Sequence, residues 1–469
     1  MGVVRLLGIL AIAIGGVTPV AAEPLGRYNA APDESSISGI SAGAYMAVQF
    51  GTAWSSLVRG VGVVAGGPFW CVRADADDFV TGYWGPIWRA TGSCMKGPQS
   101  DLKTADFTAK ADAKAASGDI DPLANLRRQR IYLFHGYNDA FVARPVTDAA
   151  EAFYRHYLGD PNRGNLFYQS AIGAGHALVV SDDTQAGDLN TCAANDSPYI
   201  DRCDYDQAGV ILQHVYGALD PPTRGQLKGT LKKFDQSIYA KPRTLDELSM
   251  GETGYVFVPD ECTNGARCRI HIALHGCKQD VSEIGQRFVE KSGYNAWADT
   301  NRVIVLYPQV RSSSFAPYNP QGCWDWWGYV DHTDKYVTKS GAQIGAIKAM
   351  LDAVAGGASG SSAGAAGEVS SAPVVVDISD RGVALAWKPL AGAATYRISR
   401  AGADGQFALA GETEGLSFAD SGLAPRTAYS WRISAVVSGA EGTPSATVTA
   451  TTRPTPAPCI APGSCPVAK

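Results

Sequence analysis

At 469 residues the chain is longer than one typical domain and long enough to bury a large core. Its 45% hydrophobic and 18% charged residues are a globular composition. The formal net charge of −5 leaves no electrostatic footprint for nucleic acid.

The chain opens with Arg5, an apolar run from Leu6 to Val17, and the small residues Val20-Ala21-Ala22. A charged start, a short apolar core and a small-residue cleavage site predict a secretory signal peptide over residues 1–22. A span of about a dozen apolar residues is too short to cross a bilayer, and no other candidate span follows, so no membrane insertion is expected after cleavage. Export to the extracellular space or periplasm turns the ten cysteines into candidate disulfides. Proximity in sequence suggests Cys71 with Cys94, Cys192 with Cys203, Cys262 with Cys268 and Cys459 with Cys465, which leaves Cys277 and Cys323. Sequence does not fix that connectivity. No C-x-x-C pair is present, which argues against a zinc site, and neither a metal nor a cofactor is expected.

Gly39-Ile40-Ser41-Ala42-Gly43 reads G-x-S-x-G, the turn in which a strand passes sharply into a helix and presents a serine hydroxyl. The flanking residues fit, with Ser36-Ile37-Ser38 as a short strand and Ala44 to Phe50 as a buried helix. A second match, Gly360-Ser361-Ser362-Ala363-Gly364, lies in a Gly/Ser/Ala run without strand or apolar helix and reads as linker.

Further strands follow in Leu57 to Phe69, Arg130 to Phe134, Asn165 to Ile172, Tyr255 to Pro259, Arg269 to Leu274 and Val303 to Tyr307. Helical spacing marks Thr147 to Leu158, Phe288 to Thr300 and Ala342 to Val354. Trp70 to Asp121 gives no clear pattern, and Ser181 to Asp206 reads as a polar, disulfide-prone excursion. Alternating strands and helices predict an α/β fold with a mainly parallel sheet, whose ligands bind at the carboxyl ends of strands.

Ser41, Asp139, His176 and His275-Gly276-Cys277 each follow a predicted strand. A serine, an acid and a histidine gathered on such loops are what nucleophilic acyl transfer requires. The order Ser41, Asp139, His176 is that of α/β-hydrolases, but the strand ending in His-Gly comes after the histidine instead of before the serine. A circular permutation accounts for this, with Ala342 to Val354 as the helix that ordinarily leads into the nucleophile strand. Asp139 is chosen over Asp280 because Asp280 breaks the order, and Asp280 is expected to be a surface residue at a helix start. His271 is expected in the core; His214 and His332 are expected to be ordinary surface or structural residues.

These motifs, together with His135-Gly136-x-x-Asp139-x-x-Val142 and Gly322-Cys323-Trp324-Asp325-Trp326-Trp327-Gly328, resemble the secreted poly(3-hydroxybutyrate) depolymerases whose catalytic domain is a circularly permuted α/β-hydrolase. The resemblance covers about residues 23–355. It implies Ser41 as nucleophile, Asp139 and His176 as its partners, the backbone N–H groups of Ala42 and Cys277 as the oxyanion hole, and a polyester or oligoester substrate. Trp326 and Trp327 would touch that substrate, whereas Trp324 fits a buried aromatic core equally well.

Residues 356–371 read as a Gly/Ser/Ala linker, and 372–452 as a small all-β fibronectin type III-like sandwich. Leu423-Ala424-Pro425-Arg426-Thr427-Ala428-Tyr429 looks like a tyrosine corner, and Trp387 is a candidate buried tryptophan. Residues 453–469 form a Pro-rich tail with no room for the polymer-binding domain that usually follows such a module. All candidate catalytic groups precede the linker, so the module is expected to be separable from ester hydrolysis. Two other functions remain open on sequence alone: a feruloyl or acetyl esterase acting on carbohydrate, and a non-catalytic adhesion protein.

Overall fold

The computed structural model describes residues 23–73, 79–181, 187–355, 372–390 and 392–456. The predicted signal peptide, the 356–371 linker and the Cys459–Cys465 pair lie outside the described residues.

Four strands, β1 (Ser35–Ile40), β2 (Val58–Val64), β3 (Arg130–Phe134) and β4 (Leu166–Gln169), follow one another across half of the main sheet. A small three-stranded sheet comes next in the chain, from β5 (Leu178–Val180), β6 (Asn190–Thr191) and β7 (Ile200–Arg202). The other half of the main sheet is β8 (Thr230–Asp235), β9 (Thr253–Val258), β10 (Arg269–Leu274) and β11 (Val303–Tyr307). The main sheet runs β4-β3-β2-β1-β10-β11-β9-β8, with β9 alone antiparallel to its neighbours. β1 is thus central, and β10 pairs with it in parallel although more than 200 residues separate them, Gly39 standing opposite Leu274.

The central strands are buried along their lengths because helices cover both faces. On one face pack α1 (Ala42–Ala53) and the helix Ala342–Val354; on the other, Gln207–Tyr216 and Tyr294–Asn301. β1 also carries a polar seam. His271 Nδ1 and Nε2 meet Ser36 Oγ at 2.7 Å and Ser38 Oγ at 2.9 Å, and Tyr294 closes on Ser38 at 2.6 Å. Burial pushes His271 down to about 3, so it sits in the core as a neutral ring, as expected from its strand.

Trp70 to Asp121, which gave no pattern, holds the helices Phe79–Thr91 and Thr104–Ala116. The helical spacing over Phe288 to Thr300 is two helices, Arg287–Lys291 and Tyr294–Asn301, divided where Gly293 takes φ 88°. Four disulfides form among the described residues: Cys71–Cys94, Cys192–Cys203, Cys262–Cys268 and Cys277–Cys323.

The C-terminal module is a sandwich of two antiparallel sheets. One contains β12 (Val374–Ile378), β13 (Gly382–Ala386) and β16 (Ser417–Ser421). The other contains β14 (Ala393–Ala401), β15 (Phe407–Thr413), β17 (Ala428–Val437), β18 (Ala440–Glu441) and β19 (Val448–Thr451). Tyr429 accepts a hydrogen bond from Ala424 N–H at 3.1 Å, the contact of a tyrosine corner, and the buried Trp387 packs on Tyr396 at 5.4 Å. The fold is a mixed α/β domain followed by a fibronectin type III-like sandwich.

The module is seated on the β3–β4 edge. Arg130, buried at the start of β3, donates to Asn165 Oδ1 and to Ser417 O at 2.7 Å each, and to Thr413 Oγ1 at 2.8 Å. A Cβ on Gly415 would fall 1.3 Å from the guanidinium, so only glycine leaves it room. The linker's composition gave no sign of this shared interface.

Candidate active site

Ser41 stands between β1 and α1 at φ 57°, ψ −122°, a backbone conformation that costs energy and must be held by its surroundings. Two glycines make the turn possible. A Cβ on Gly39 would lie 2.3 Å from the carbonyl of Gly43, and a Cβ on Gly43 would lie 2.4 Å from the His275 carbonyl oxygen. Ser41 N–H donates to Val64 O at 2.9 Å, tying the turn to the end of β2. The Ala42 N–H opens α1, where no earlier helical carbonyl faces it.

Asp139 and His176 come together on neighbouring loops at the same end of the sheet. His176 Nδ1 donates to Asp139 Oδ2 at 2.9 Å, and both side chains are buried. Asp139 Oδ1 accepts from the N–H groups of Phe141 at 2.8 Å and Val142 at 2.9 Å. Burial alone would raise this carboxyl, but His176 and the hydrogen bonds outweigh it and hold Asp139 below the usual carboxylate range. The charged acid therefore fixes the ring with Nε2 as the free nitrogen. Phe141 and Tyr199 stand beside the ring at 5.3 and 6.3 Å.

The loop after β10 lies against the elbow. A Cβ on Gly276 would be 3.2 Å from Ser41 Cβ, so Cys277 follows directly beside the serine. Gln279 shapes this loop by accepting from Gly276 N–H at 2.7 Å and donating to Pro198 O and Tyr199 O at 2.9 Å each. The Cys277–Cys323 disulfide joins it to the tryptophan segment. There Trp324 is fully buried, Trp326 is 6% exposed and stacked on Tyr45 at 4.4 Å, and the half-buried Trp327 lines a small cleft with Pro86, Ile87, Tyr318 and His332.

Asp280 caps a short helix through Ser282 N–H, as expected of a helix start, but it is 1% exposed and not a surface residue. The reason is the fold of its loop, which brings Gly322 onto the carboxyl. Sequence reasoning missed Asn195, whose Oδ1 accepts from His176 N–H at 2.8 Å and Ala140 N–H at 2.9 Å and so joins the acid and base loops. It also missed Gln279, Phe141 and Tyr199. Only the disulfide-prone spacing around Cys192 hinted that this excursion had a fixed shape. Among the described residues no cluster of three or more His, Cys, Asp or Glu is arranged to hold a metal ion, and no helix is long and apolar enough to cross a membrane.

No family model matches the chain. It is 36% identical over 447 residues to the poly(3-hydroxybutyrate) depolymerase of Delftia acidovorans, an alignment covering 93% of this chain and 83% of that protein. It is 36% identical over 356 residues to the polyhydroxybutyrate depolymerase of Talaromyces funiculosus, covering 74% of this chain and 96% of the relative. Among solved structures, a PHB depolymerase complexed with an R3HB trimer superposes with a TM-score of 0.61 at 32% identity, covering 71% of this chain and 98% of the other. The PHB depolymerase from Penicillium funiculosum gives 0.60 at 33% identity with the same coverage. On identity, coverage and fold, the chain belongs to the poly(3-hydroxybutyrate) depolymerase family.

Proposed function

We propose that this protein is a secreted serine esterase that hydrolyses poly(3-hydroxybutyrate) or its oligomers through an acyl-enzyme on Ser41. The observation that carries the reading is the His176–Asp139 hydrogen bond at the sheet end where the Ser41 elbow opens, in a chain of this family. His176 Nε2 takes the Ser41 hydroxyl proton as Oγ attacks the ester carbonyl. The tetrahedral oxyanion is held by the N–H groups of Ala42 and Cys277. Collapse breaks the ester C–O bond, and His176 returns the proton to the departing alkoxide. Water then repeats the sequence on the acyl-enzyme and frees the acid. Trp327 meets the substrate from its cleft, and Trp326 backs it from the stack on Tyr45.

The strand order supports a circular permutation: the His-Gly strand β10 lies beside the nucleophile strand β1 although it comes far later in the chain. We also retain the division into a leader over 1–22, a catalytic part over 23–355, a linker over 356–371, a sandwich over 372–452 and a tail. Disulfides joining all eight described cysteines support export.

Chromatography of products from a poly(3-hydroxybutyrate) film, beside feruloyl and acetylated-sugar esters, tests the substrate. Release of 3-hydroxybutyrate or its oligomers is expected. Activity confined to the sugar esters would defeat the proposal.

A further inference from the structure

The segment from Gln169 to Val179, which carries His176, is linked at both ends to one residue of the C-terminal module, directly at Gln169 and through three intervening side chains at Val179. Asp377, on β12, is buried at 5% exposure. Its Oδ1 accepts from Gln169 Nε2 at 3.0 Å, and the same amide donates to Ile378 O at 3.0 Å. Both acceptors of this buried amide therefore come from the module. At its other end Gln169 Oε1 accepts from Ala171 N–H at 2.9 Å, which turns the chain out of β4 towards His176.

The second arm starts at Asp377 Oδ2, which accepts from the Tyr205 hydroxyl. Tyr205 in turn meets the Tyr132 hydroxyl at 2.8 Å, and Tyr132 receives Gln207 Nε2 at 3.4 Å. Gln207 Oε1 accepts from Val179 N–H at 3.1 Å, three residues beyond His176. Between the two arms the loop is clasped to the acid loop: Tyr137 N–H donates to Ile172 O and Asn138 N–H to Ala174 O, each at 3.1 Å. A shift at either end of the segment is therefore carried to the Asp139–His176 pair.

We propose that Asp377 is a positioning residue for His176, so that the fibronectin type III-like module, although it supplies no catalytic group and reads from sequence as separable, supports the catalytic part over 23–355 in ester hydrolysis. Without Asp377 the Gln169 amide keeps one acceptor and the buried Tyr205 hydroxyl loses its own. Both then reorient, since a buried polar group without a partner is costly. Proton transfer depends steeply on geometry, so a displaced imidazole lowers kcat more than it alters substrate binding. The proposal rests on His176 being the catalytic base.

The test uses the full chain on a soluble p-nitrophenyl ester, with active sites counted by phosphonate titration. Asp377→Ala is expected to lower kcat per active site by about tenfold with KM nearly unchanged. Asp377→Asn keeps an acceptor towards Gln169 and is expected to recover most of the rate. Full kcat per site in Asp377→Ala, a loss seen only as fewer titratable sites, or an equal loss in Asp377→Asn would overturn the proposal. Should Asp377→Ala not fold, Tyr205→Phe removes one hydroxyl from the same network. A several-fold lower kcat per site is then expected, and an unchanged one overturns the proposal. His176→Ala is run alongside: activity retained there strikes the base assignment, whereas an inactive His176→Ala beside a fully active Asp377→Ala strikes the positioning role alone.

Discussion

Gly43 backs onto the carbonyl of His275, so closely that a Cβ there would stand 2.4 Å from the oxygen. This contact presses the first turn of α1 against the end of β10 and sets the serine elbow beside the Cys277 loop. Gly43→Ala cannot be relieved by rotating a side chain, because the obstacle is backbone. We expect a loss of about 1–3 kcal/mol in stability, as overpacking produces, and a larger fall in kcat than in substrate affinity. Urea denaturation and steady-state kinetics measure both, and an unaltered Gly43→Ala enzyme would show that the contact yields.

The two aspartates near the site separate by function. Asp139→Asn should lower kcat by about ten-thousand-fold, as loss of the carboxylate does in a serine triad. Asp280→Asn should leave kcat close to the parent value, since asparagine also caps helices. Steady-state kinetics on a soluble ester compares them, and the reverse pattern would mean that the acid has been misassigned.

The fold and the chemistry were legible to different degrees. β10, β11 and the helix Ala342–Val354 are legible with their observed bounds: β11 is an unbroken apolar run, β10 is one interrupted only by His271 after its opening arginine, and the helix repeats Ile344, Ile347, Met350, Leu351 and Val354 at helical spacing. The elbow was legible because its glycines answer a local steric demand. The helix Phe79–Thr91 was not, since Pro86 interrupts it, and the strands around Cys192 span only two or three residues, too few for a period. Asn195 and Gln279 act through partners distant in sequence and leave no local signature. The same holds for Arg130, which reads as an ordinary strand start yet anchors the module.

Stability should fall as pH rises from neutral. Burial pushes the Asp201 carboxyl up to about 8 and the Asp325 carboxyl up to about 7. In the unfolded chain aspartate ionises near pH ~4, so above that value the folded state holds protons the unfolded chain has lost. This stabilisation is complete below the unfolded value and is lost as pH rises through the folded ones. Buried His214, pushed down to about 4, and His271, pushed down to about 3, act in the opposite sense, but only below the unfolded histidine value. Between about pH 6.5 and 8 the carboxyls therefore decide, with a slope of up to about 1.4 kcal/mol per pH unit for each one still protonated. Thermal unfolding across that window should show a falling Tm that Asp201→Asn flattens. A flat or rising parent curve would contradict it.

The paired tryptophans should divide between substrate and scaffold. Trp327→Ala should raise KM several-fold with a smaller change in Tm than Trp326→Ala, because its half-buried side chain lines a small surface cleft. Trp326→Ala should cost about 3–5 kcal/mol, because it empties a buried stack against Tyr45. Kinetics on oligoesters and calorimetry distinguish the two, and a Trp327→Ala destabilised as much as Trp326→Ala would remove it from the substrate side.

The Cys277–Cys323 disulfide should hold the loop proposed to supply the oxyanion N–H, as well as the fold. Replacing both cysteines by alanine should cost on the order of 2–5 kcal/mol, the usual range for a native disulfide, and lower kcat in the protein that remains folded. Active-site titration corrects for unfolded protein, and an unchanged kcat per site would mean that the loop keeps its shape unaided.

Attack of Ser41 on the ester is tested by trapping. The full chain is treated with a fluorophosphonate, digested and mapped by mass spectrometry, with and without a 3-hydroxybutyrate oligomer. One adduct is expected, on the peptide carrying Ser41, suppressed by the oligomer and absent from Ser41→Ala, which should also lose hydrolysis by several orders of magnitude. An adduct on another serine, or hydrolysis that survives in Ser41→Ala, would contradict it.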